Sequence, residues 1–450
     1  MASKIISRDL KDWSQVDKTD HFFVGIDVSR DENFGIHSFS GNLWTSGYIG
    51  VGRLYGINGR PLTTCGKEHV VVINSKYGLD PWKMLEKVMT DEEYEDYISE
   101  LEKDKKYLFK VFYDQPVIRL NQDHQCNADI LYALSFINSC YLLCKKGVKK
   151  KMIHHEENFK AKVRGRIDVQ KNIRSNTVRG RNDRFYCKYI DFTADTIENR
   201  ILKATLIRCK RTIEKKFEMS SEIMSRLHYC MNMLREVRTV NIKGKDFNGV
   251  VSTGLYIYYK PLIKQAKSIL SQKYMSYKAD DGLVVNKSVF TVPYMINMES
   301  VFEFYVRIVL REFLNRYPQY CIEKYSAHLY TESKIKRDED TLRGIHLMPY
   351  CIPDVIICDK TTKKPVVVLD AKYKRDDESS RNDSHQLLSY VLLTGVKKCG
   401  FVFPGTVTSL KTMRGNNKLD LGSPLLSPLN YYELILGNMI DDKEIEKIFI

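Results

Sequence analysis

Apolar positions along this chain follow three different rhythms, and each predicts a different architecture. Between residues 20 and 80, the runs FFVGIDV, SGYIGVGRLYGING and HVVVINSKYG mix aromatic and β-branched side chains with Gly and Asn-Gly, which reads as hairpins in a small sheet or barrel. The acidic DEEYEDYISELEKDKK is expected to be helical, and YLFKVFYDQPVI after it reads as another strand. From about 120 to 275 the period lengthens: Ile197, Ile201, Leu202 and Leu206 share one stripe at helical spacing, as core packing alone requires. The stretch ILYALSFINSCYLLC over 130–144 is too short to span a bilayer and reads as a buried helix.

The last third changes again. MESVFEFYVRIVLREFLNRY predicts a long helix, followed by a polar loop containing KIKRDEDTLRG, two apolar strands (DVII and PVVVLD) around the turn DKTTKK, the helix DSHQLLSYVLLTG and the strand CGFVFP. Helix, paired strands, helix and strand make an α/β core. The expected fold class is therefore α+β and multidomain. A β-rich N-terminal domain spans 1–118, a mainly helical, basic middle region spans 119–285, and a C-terminal α/β core spans 286–450, with the last boundary near YKADDGLVVNKS. A chain of 450 residues supports this division, because one hydrophobic core rarely serves so many.

Charge adds a partner class. Lys and Arg number 71 against 56 acids, giving +15, which suits a polyanion. The window from Lys145 to Arg184 holds 14 Lys/Arg against 4 Asp/Glu, so most of the surplus is local. Within it, KVRGRIDVQKNIRSNTVRGRNDRFYCKYIDFT reads as strands around Ile167 and Val169 and from Phe185 to Phe192, joined by an exposed loop; Gly165 and Gly180 would allow close backbone approach. Arg164, Arg166, Arg179 and Arg181 are the candidate DNA contacts, weighed against the plainer reading of a solvated basic face. His154 and His155 stand nearby without a matched ligand pattern and read as surface residues. The eleven cysteines include no CxxC pair, so neither a zinc site nor a disulfide framework is indicated; reduced thiols and a polar N-terminus without an apolar signal core point to the cytoplasm, with no membrane segment.

Chemistry concentrates in IPDVIICDKTTKKPVVVLDAKYK. Antiparallel pairing of DVII with PVVVLD brings Asp354 and Asp370 to the same end of the hairpin, where two like charges repel unless neutralised. A hard divalent cation does this: Mg²⁺ takes one or two carboxylates and keeps waters, and Mn²⁺ can substitute. Lys372, two residues beyond Asp370, points to the same face and would orient the attacking water or stabilise charge on a scissile phosphate. The plainer alternative is an ordinary surface hairpin with Asp370 paired to Lys372 or Lys374.

Pro353-Asp354 followed by Asp370-Ala371-Lys372 is the motif of the PD-(D/E)xK nucleases. Gln386 and Tyr390, four apart on one helix face, resemble the QxxxY element that some of these nucleases place beside the DNA backbone. An acid on the preceding helix often completes the metal site in such nucleases; Glu303 is the candidate and Glu299 its rival. As a whole the chain resembles the McrC family, the nuclease subunit of McrBC-type modification-dependent restriction systems, through SGYIGVGRLYGINGRPLTTCGKEHVVVINSKYG, RGRIDV, YCKYIDFTADTIENRILKATL with Glu198-Asn199-Arg200, and the C-terminal nuclease motif. The resemblance implies docking through the N-terminal part onto a ring of McrB-like AAA+ GTPase subunits, stimulation of its hydrolysis, and cutting of double-stranded, modified DNA. Consistent with a motor supplied in trans, the chain has no GxxxxGK[ST] phosphate loop. Arg53 and Arg60 are candidate contacts to that partner, each weighed against a solvated arginine. Two rivals remain at this point: a non-catalytic DNA-binding adaptor of an AAA+ ring, and a nuclease directed at RNA.

Overall fold

The computed structural model describes residues 5–17, 20–103, 106–112, 115–116, 118–120, 128–214, 220–250, 254–270, 289–323, 327–328, 350–351, 353–375, 380–414 and 429–449. The expected boundary segment at 277–288 and the polar loop at 334–344 lie outside the described residues. Two compact units emerge, one built from Met1–Leu120 with Val292–Ile450 and the other from Asn121–Thr291. The architecture is mixed α/β, with several sheets and helices.

The first unit holds two six-stranded sheets. In the N-terminal one, Ile5–Lys11 runs parallel to Lys67–Asn74, which pairs antiparallel with Tyr48–Arg53. The next strand, Tyr294–Asn297, comes from far along the chain and lies between Tyr48–Arg53 and Phe109–Val111. Gly50 makes this pairing possible: it sits at φ 145°, and a Cβ there would come within 2.1 Å of the Tyr294 carbonyl oxygen. Phe22, Phe34, Ile36, Leu54, Val71 and Met295 fill the core of this sheet.

Asn297 ends that strand and starts the next helix. Its side chain accepts a hydrogen bond from the Ser300 N–H at 3.2 Å, capping Met298–Leu314. This helix buries Val301, Phe302, Phe304, Ile308, Val309 and Phe313 around most of its circumference, the pattern of a central rather than a surface helix. The second sheet runs in the order Tyr320–Glu323, Val355–Asp359, Pro365–Ala371, Lys398–Pro404, Asn430–Leu436, Ser409–Arg414. Val355–Asp359 and Pro365–Ala371 are antiparallel, as expected, while Lys398–Pro404 is parallel to both of its neighbours. Arg381–Thr394 covers one face through Leu387, Tyr390 and Val391.

The second unit packs the helices Ala128–Lys146, Ile197–Glu214, Ser221–Met233 and Tyr259–Leu270. Ile201, Leu202 and Leu206 are buried, as their spacing predicts. Glu198, Asn199 and Arg200 serve this packing: Glu198 pairs with Lys149 at 2.8 Å, Asn199 donates to the carbonyls of Lys149 and Ala194, and Arg200 grips Asp195. The basic segment folds differently from the expectation. Strands Lys151–Lys160 and Arg184–Thr193 pair antiparallel, but Val169 opens a helix, Val169–Ser175, because Asp168 accepts from the Lys171 N–H and caps it.

Within the first unit, the N-terminal sheet is tied to the segment just after Pro365–Ala371 by a buried polar knot. The Tyr373 hydroxyl lies 2.9 Å from Ser75 Oγ, its ring meets Tyr77 edge-on at 4.8 Å, and Asp12 accepts from the Lys76 N–H at 2.6 Å beside it. Burial pushes the Asp12 carboxyl up to about 6, against the opposing pull of the Lys76 N–H and Tyr373. The folded chain thus holds this proton up to pH near 6 while the unfolded chain releases it near 4, so stability falls as pH rises between those values. Asp12→Asn is expected to abolish that slope, on the order of 2 kcal/mol, in urea denaturation compared at pH 4.5 and 7.5; an unchanged slope would remove Asp12 as its source.

Candidate active site

The hairpin register places the acids. Val355 pairs with Leu369, so Asp354 and Asp370 end the two strands at the same edge. The Asp354 carboxylate accepts from the Ala371 N–H at 2.7 Å, which fixes one strand end to the other. Asp370 is 1% exposed, and among the described residues its Oδ1 has no hydrogen-bond partner. Its Oδ2 is met by the Lys372 ammonium at 2.6 Å. A buried carboxylate left so under-bonded is costly unless the site serves a ligand.

Lys372 is held from two sides. Its ammonium also donates to Gln386 Oε1 at 2.9 Å, and Gln386 Nε2 donates to the Tyr390 hydroxyl at 2.7 Å. Burial pulls the Lys372 ammonium down, but Asp370, Asp354 and Asp383 together outweigh it and hold it above the ordinary lysine value. It is therefore a fixed positive charge. Tyr390, expected beside the DNA backbone with Gln386, is instead 3% exposed and packs in the core, its hydroxyl accepting from Gln386.

Glu303 enters from the Met298–Leu314 helix. Its carboxylate meets Arg307 at 3.4 Å, one turn on, and Arg307 Nε donates to the Asp354 carbonyl at 3.3 Å. About a third of the Glu303 side chain stays open to the cleft, yet the surrounding protein raises its carboxyl above the usual range by desolvation, with Arg307 opposing and Asp370 adding. Asp354 is raised well above the usual range by burial, then by Glu303 and Asp370. The three acids therefore feel one another. Glu299, the rival, also faces the cleft and is raised by desolvation, with Lys106, Lys372 and Lys374 opposing.

Residues that sequence reasoning missed complete the cleft. Arg307 joins the Glu303 carboxylate to the Asp354 backbone carbonyl; its i,i+4 spacing signals only the first of these contacts. Asp383 accepts from the Ser380 N–H, pairs with Lys374 and lies 3.9 Å from Lys372, so it ties the start of the Arg381–Thr394 helix to both lysines. A cavity of about 690 Å³ opens here, lined by Glu299, Glu303, Asp354 and Lys372 together with Trp13, Trp44, Lys76 and Lys106. Nothing in the N-terminal pattern announced these four.

Elsewhere, Arg164 stacks over the Tyr189 ring at 4.1 Å and pairs with Asp191 at 2.6 Å, whereas Arg166, Arg179 and Arg181 are exposed. Gly165 lies against the Lys188 carbonyl, where a Cβ would come to 2.5 Å, while Gly180 faces open space and only supplies its left-handed turn. His154 and His155 sit on the Lys151–Lys160 strand, with His155 stacked on Tyr189. Arg53 is not the exposed residue expected: it is 2% exposed, bonded to Glu68 at 2.7 Å and to the Pro116 carbonyl. Arg60 is exposed. Cys140, Cys144 and Cys230 converge within 4.8 Å in the helical unit, the one such trio of ligand-type side chains among the described residues; Cys140 and Cys144 are four apart on one helix, and all three are buried. The carboxylates of Asp354, Asp370 and Glu303 do not close to that mutual spacing.

Fold and cleft together define a mixed α/β protein whose acidic strand ends surround a clamped lysine. The chain belongs to the family described as McrBC 5-methylcytosine restriction system component, whose family model matches residues 83–404. Among solved structures it is similar to a chain of the refined half-complex from a tetradecameric assembly of Thermococcus gammatolerans McrB AAA+ hexamers with bound McrC, at 13% identity and a TM-score of 0.38 over 99% of each chain. It is also similar to a chain of the cryo-EM structure of the Thermococcus gammatolerans McrBC complex, at 11% identity and a TM-score of 0.29, covering 69% of this chain and 88% of that one. No curated protein matches the chain. Among the described residues, no helix is long and apolar enough to cross a membrane.

Because Asp354 is raised by enclosure with two other acids, Asp354→Asn is expected to increase the melting temperature by a few degrees in chelator while keeping the bond from Ala371, since its amide oxygen accepts equally. A melting temperature lowered by that substitution would mean the acids do not oppose one another.

Proposed function

We propose that this chain is the metal-dependent DNA endonuclease subunit of an McrBC-type system, with a PD-(D/E)xK cleft, acting with a ring of AAA+ GTPase subunits. The observation that carries this reading is the under-bonded, buried Asp370 facing Asp354 and Glu303, with Lys372 clamped beside it. An ordinary surface hairpin has no reason to bury such a carboxylate. Family membership supports the restriction context, and the bound McrB hexamers of the Thermococcus assembly motivate the partner.

The donor set fits a hard divalent cation: Asp354 and Asp370 would hold Mg²⁺ directly, and Glu303 would act through water, since Mg²⁺ retains several waters and needs only one or two carboxylates. When bound, such an ion supplies Lewis-acid polarisation of the scissile phosphate and lowers the pKa of its water. The chain's own residues do the rest. Lys372, already charged, meets negative charge developing on the phosphate rather than removing a proton. Gln386 and Asp370 fix its position, and Arg307 keeps Glu303 and the Asp354 strand end in register.

Asp370→Ala and Lys372→Ala are each expected to reduce cleavage of modified duplex DNA at least a hundredfold, assayed with the partner ring and Mg²⁺. Undiminished cleavage by Asp370→Ala would remove Asp370 from catalysis, and absence of cleavage by the parent chain in Mg²⁺ or Mn²⁺, whatever partner is added, would favour the adaptor reading, in which the hairpin acids are purely structural. Millimolar Mg²⁺ should also raise the melting temperature of the parent chain but not of Asp370→Ala.

The second unit offers the DNA grip. Arg166, Arg179 and Arg181 are exposed on the basic segment, and replacing all three by alanine should lower the slope of log affinity against log salt by up to about 3. An unchanged slope would place the phosphate contacts elsewhere. Duplex RNA cut as fast as duplex DNA would instead support the RNA-directed reading.

A further inference from the structure

We propose that the β-rich N-terminal segment supplies a subsite for one unpaired deoxynucleotide beside the carboxylates, with Trp13 and Trp44 as base platforms and Lys76 and Lys106 as phosphate partners. This rests on the nuclease reading of the same cleft and names the form in which the strand enters it. The four side chains share one cavity with Glu303, Asp354 and Lys372. Its volume of about 690 Å³ falls within the range of pockets that enclose a small ligand, and a stacked duplex is far too wide for it.

The wall is built to hold its aromatic groups still. Trp13 adopts φ +46°, a left-handed conformation that a bulky side chain occupies only under constraint, and such residues concentrate at ligand sites. The constraint is visible. Trp13 N–H donates to the Ser46 carbonyl, Ser14 N–H to Thr45 Oγ1 at 2.8 Å, Thr45 Oγ1 to the Lys11 carbonyl at 2.7 Å, and the Lys76 ammonium to the Trp13 carbonyl at 3.4 Å. The strand bearing Trp44 pairs with Gln15–Val16, so both tryptophans are carried by one locked layer. Gly47 leaves the space they need: a Cβ there would fall 3.2 Å from Trp13 Nε1 and 2.9 Å from Glu299 Cγ. Trp13 Nε1 is itself shut from solvent, with no acceptor among the described residues.

These features select a ligand class. An aromatic face beside a cation suits a base joined to a phosphate, and every unstacked base presents a π-face, whereas paired bases have theirs covered by neighbours. Enzymes that do chemistry on a base extrude it from the stack, which shows that a protein pocket can hold one displaced base. The cleft would therefore take a strand with one base displaced, using the N-terminal wall for the base and the sheet edge for the phosphodiester.

The chain has three tryptophans, and the third, Trp82, lies near the Tyr294 ring, outside the cavity lining. The test uses the full chain in chelator, so that no strand is cut. In Trp82→Phe, oligothymidylate should quench the remaining fluorescence; in Trp13→Phe/Trp44→Phe, which keeps only Trp82, it should not. By anisotropy with labelled oligothymidylate, Trp44→Ala should lose roughly tenfold in affinity with duplex binding within twofold, and Trp44→Phe should recover most of the loss. Lys76→Ala/Lys106→Ala should weaken single-strand binding and reduce its salt slope. A Trp44→Ala variant that melts like the parent and binds oligothymidylate within twofold, or absence of quenching in Trp82→Phe, overturns the subsite. Tighter binding of oligouridylate than of oligothymidylate overturns the deoxynucleotide assignment. Loss of cleavage in Asp370→Ala alongside normal binding by the tryptophan variants would sink the subsite alone, whereas absence of cleavage by the parent chain in Mg²⁺ or Mn²⁺, whatever partner is added, would sink the nuclease reading whatever those variants bind.

Discussion

Repulsion among carboxylates that the fold cannot separate is the constraint on which the cleft depends. Once Val355 pairs with Leu369, the two strand-end aspartates must share one edge of the sheet, and the central helix lowers Glu303 towards them. In an enclosed site, like charges at this range work against folding. The compensation is distributed: a backbone N–H on Asp354, an ammonium on Asp370, a guanidinium on Glu303. None of these reaches Asp370 Oδ1, and that residual imbalance sets the cleft apart from a packed surface hairpin.

The residues just past Pro365–Ala371 form a junction. Lys372 meets Asp370, while Tyr373, its neighbour, enters the polar knot with Ser75 and Asp12. The N-terminal sheet thus reaches the lysine through a single peptide step. Any reorganisation of the loop bearing Asp12 and Trp13 would be felt at Lys372 through Tyr373, and the reverse follows by linkage. The N-terminal segment is also part of the lining of the cleft, so order in the two shares a structural element.

Much of this was legible from sequence where the physics is local. The hairpin at 354–372 announced itself because apolar runs, a polar turn and terminal acids all lie within 19 residues, and the central helix because its apolar density is high throughout. The Gln386–Tyr390 pairing followed from helical spacing, although which of the two faces the cleft depended on the sheet beneath. What failed was non-local or set by a single cap. Val169 alternates like a strand residue, yet Asp168 redirects the chain into a helix. Arg53 looked like a hairpin-tip cation because its partners, Glu68 and Pro116, are 15 and 63 residues away. Trp13, Trp44, Lys76 and Lys106 belong to four separate segments, and only their folded arrangement gives them a common purpose.

The strand Tyr294–Asn297 carries one further consequence. It occupies an interior place in a sheet whose other members lie before residue 112, and residues 121–291 form a unit of their own in between. During synthesis, the early strands must wait, with a gap in their ladder, until nearly two hundred more residues have left the ribosome. The inserted unit, composed of mostly local helical contacts, is free to fold in that interval. Completion of the sheet and delivery of the helix bearing Glu303 then happen in one event, because Asn297 is both the end of the strand and the cap of the helix. The nascent protein is thereby barred from assembling its acidic cleft before its basic unit exists.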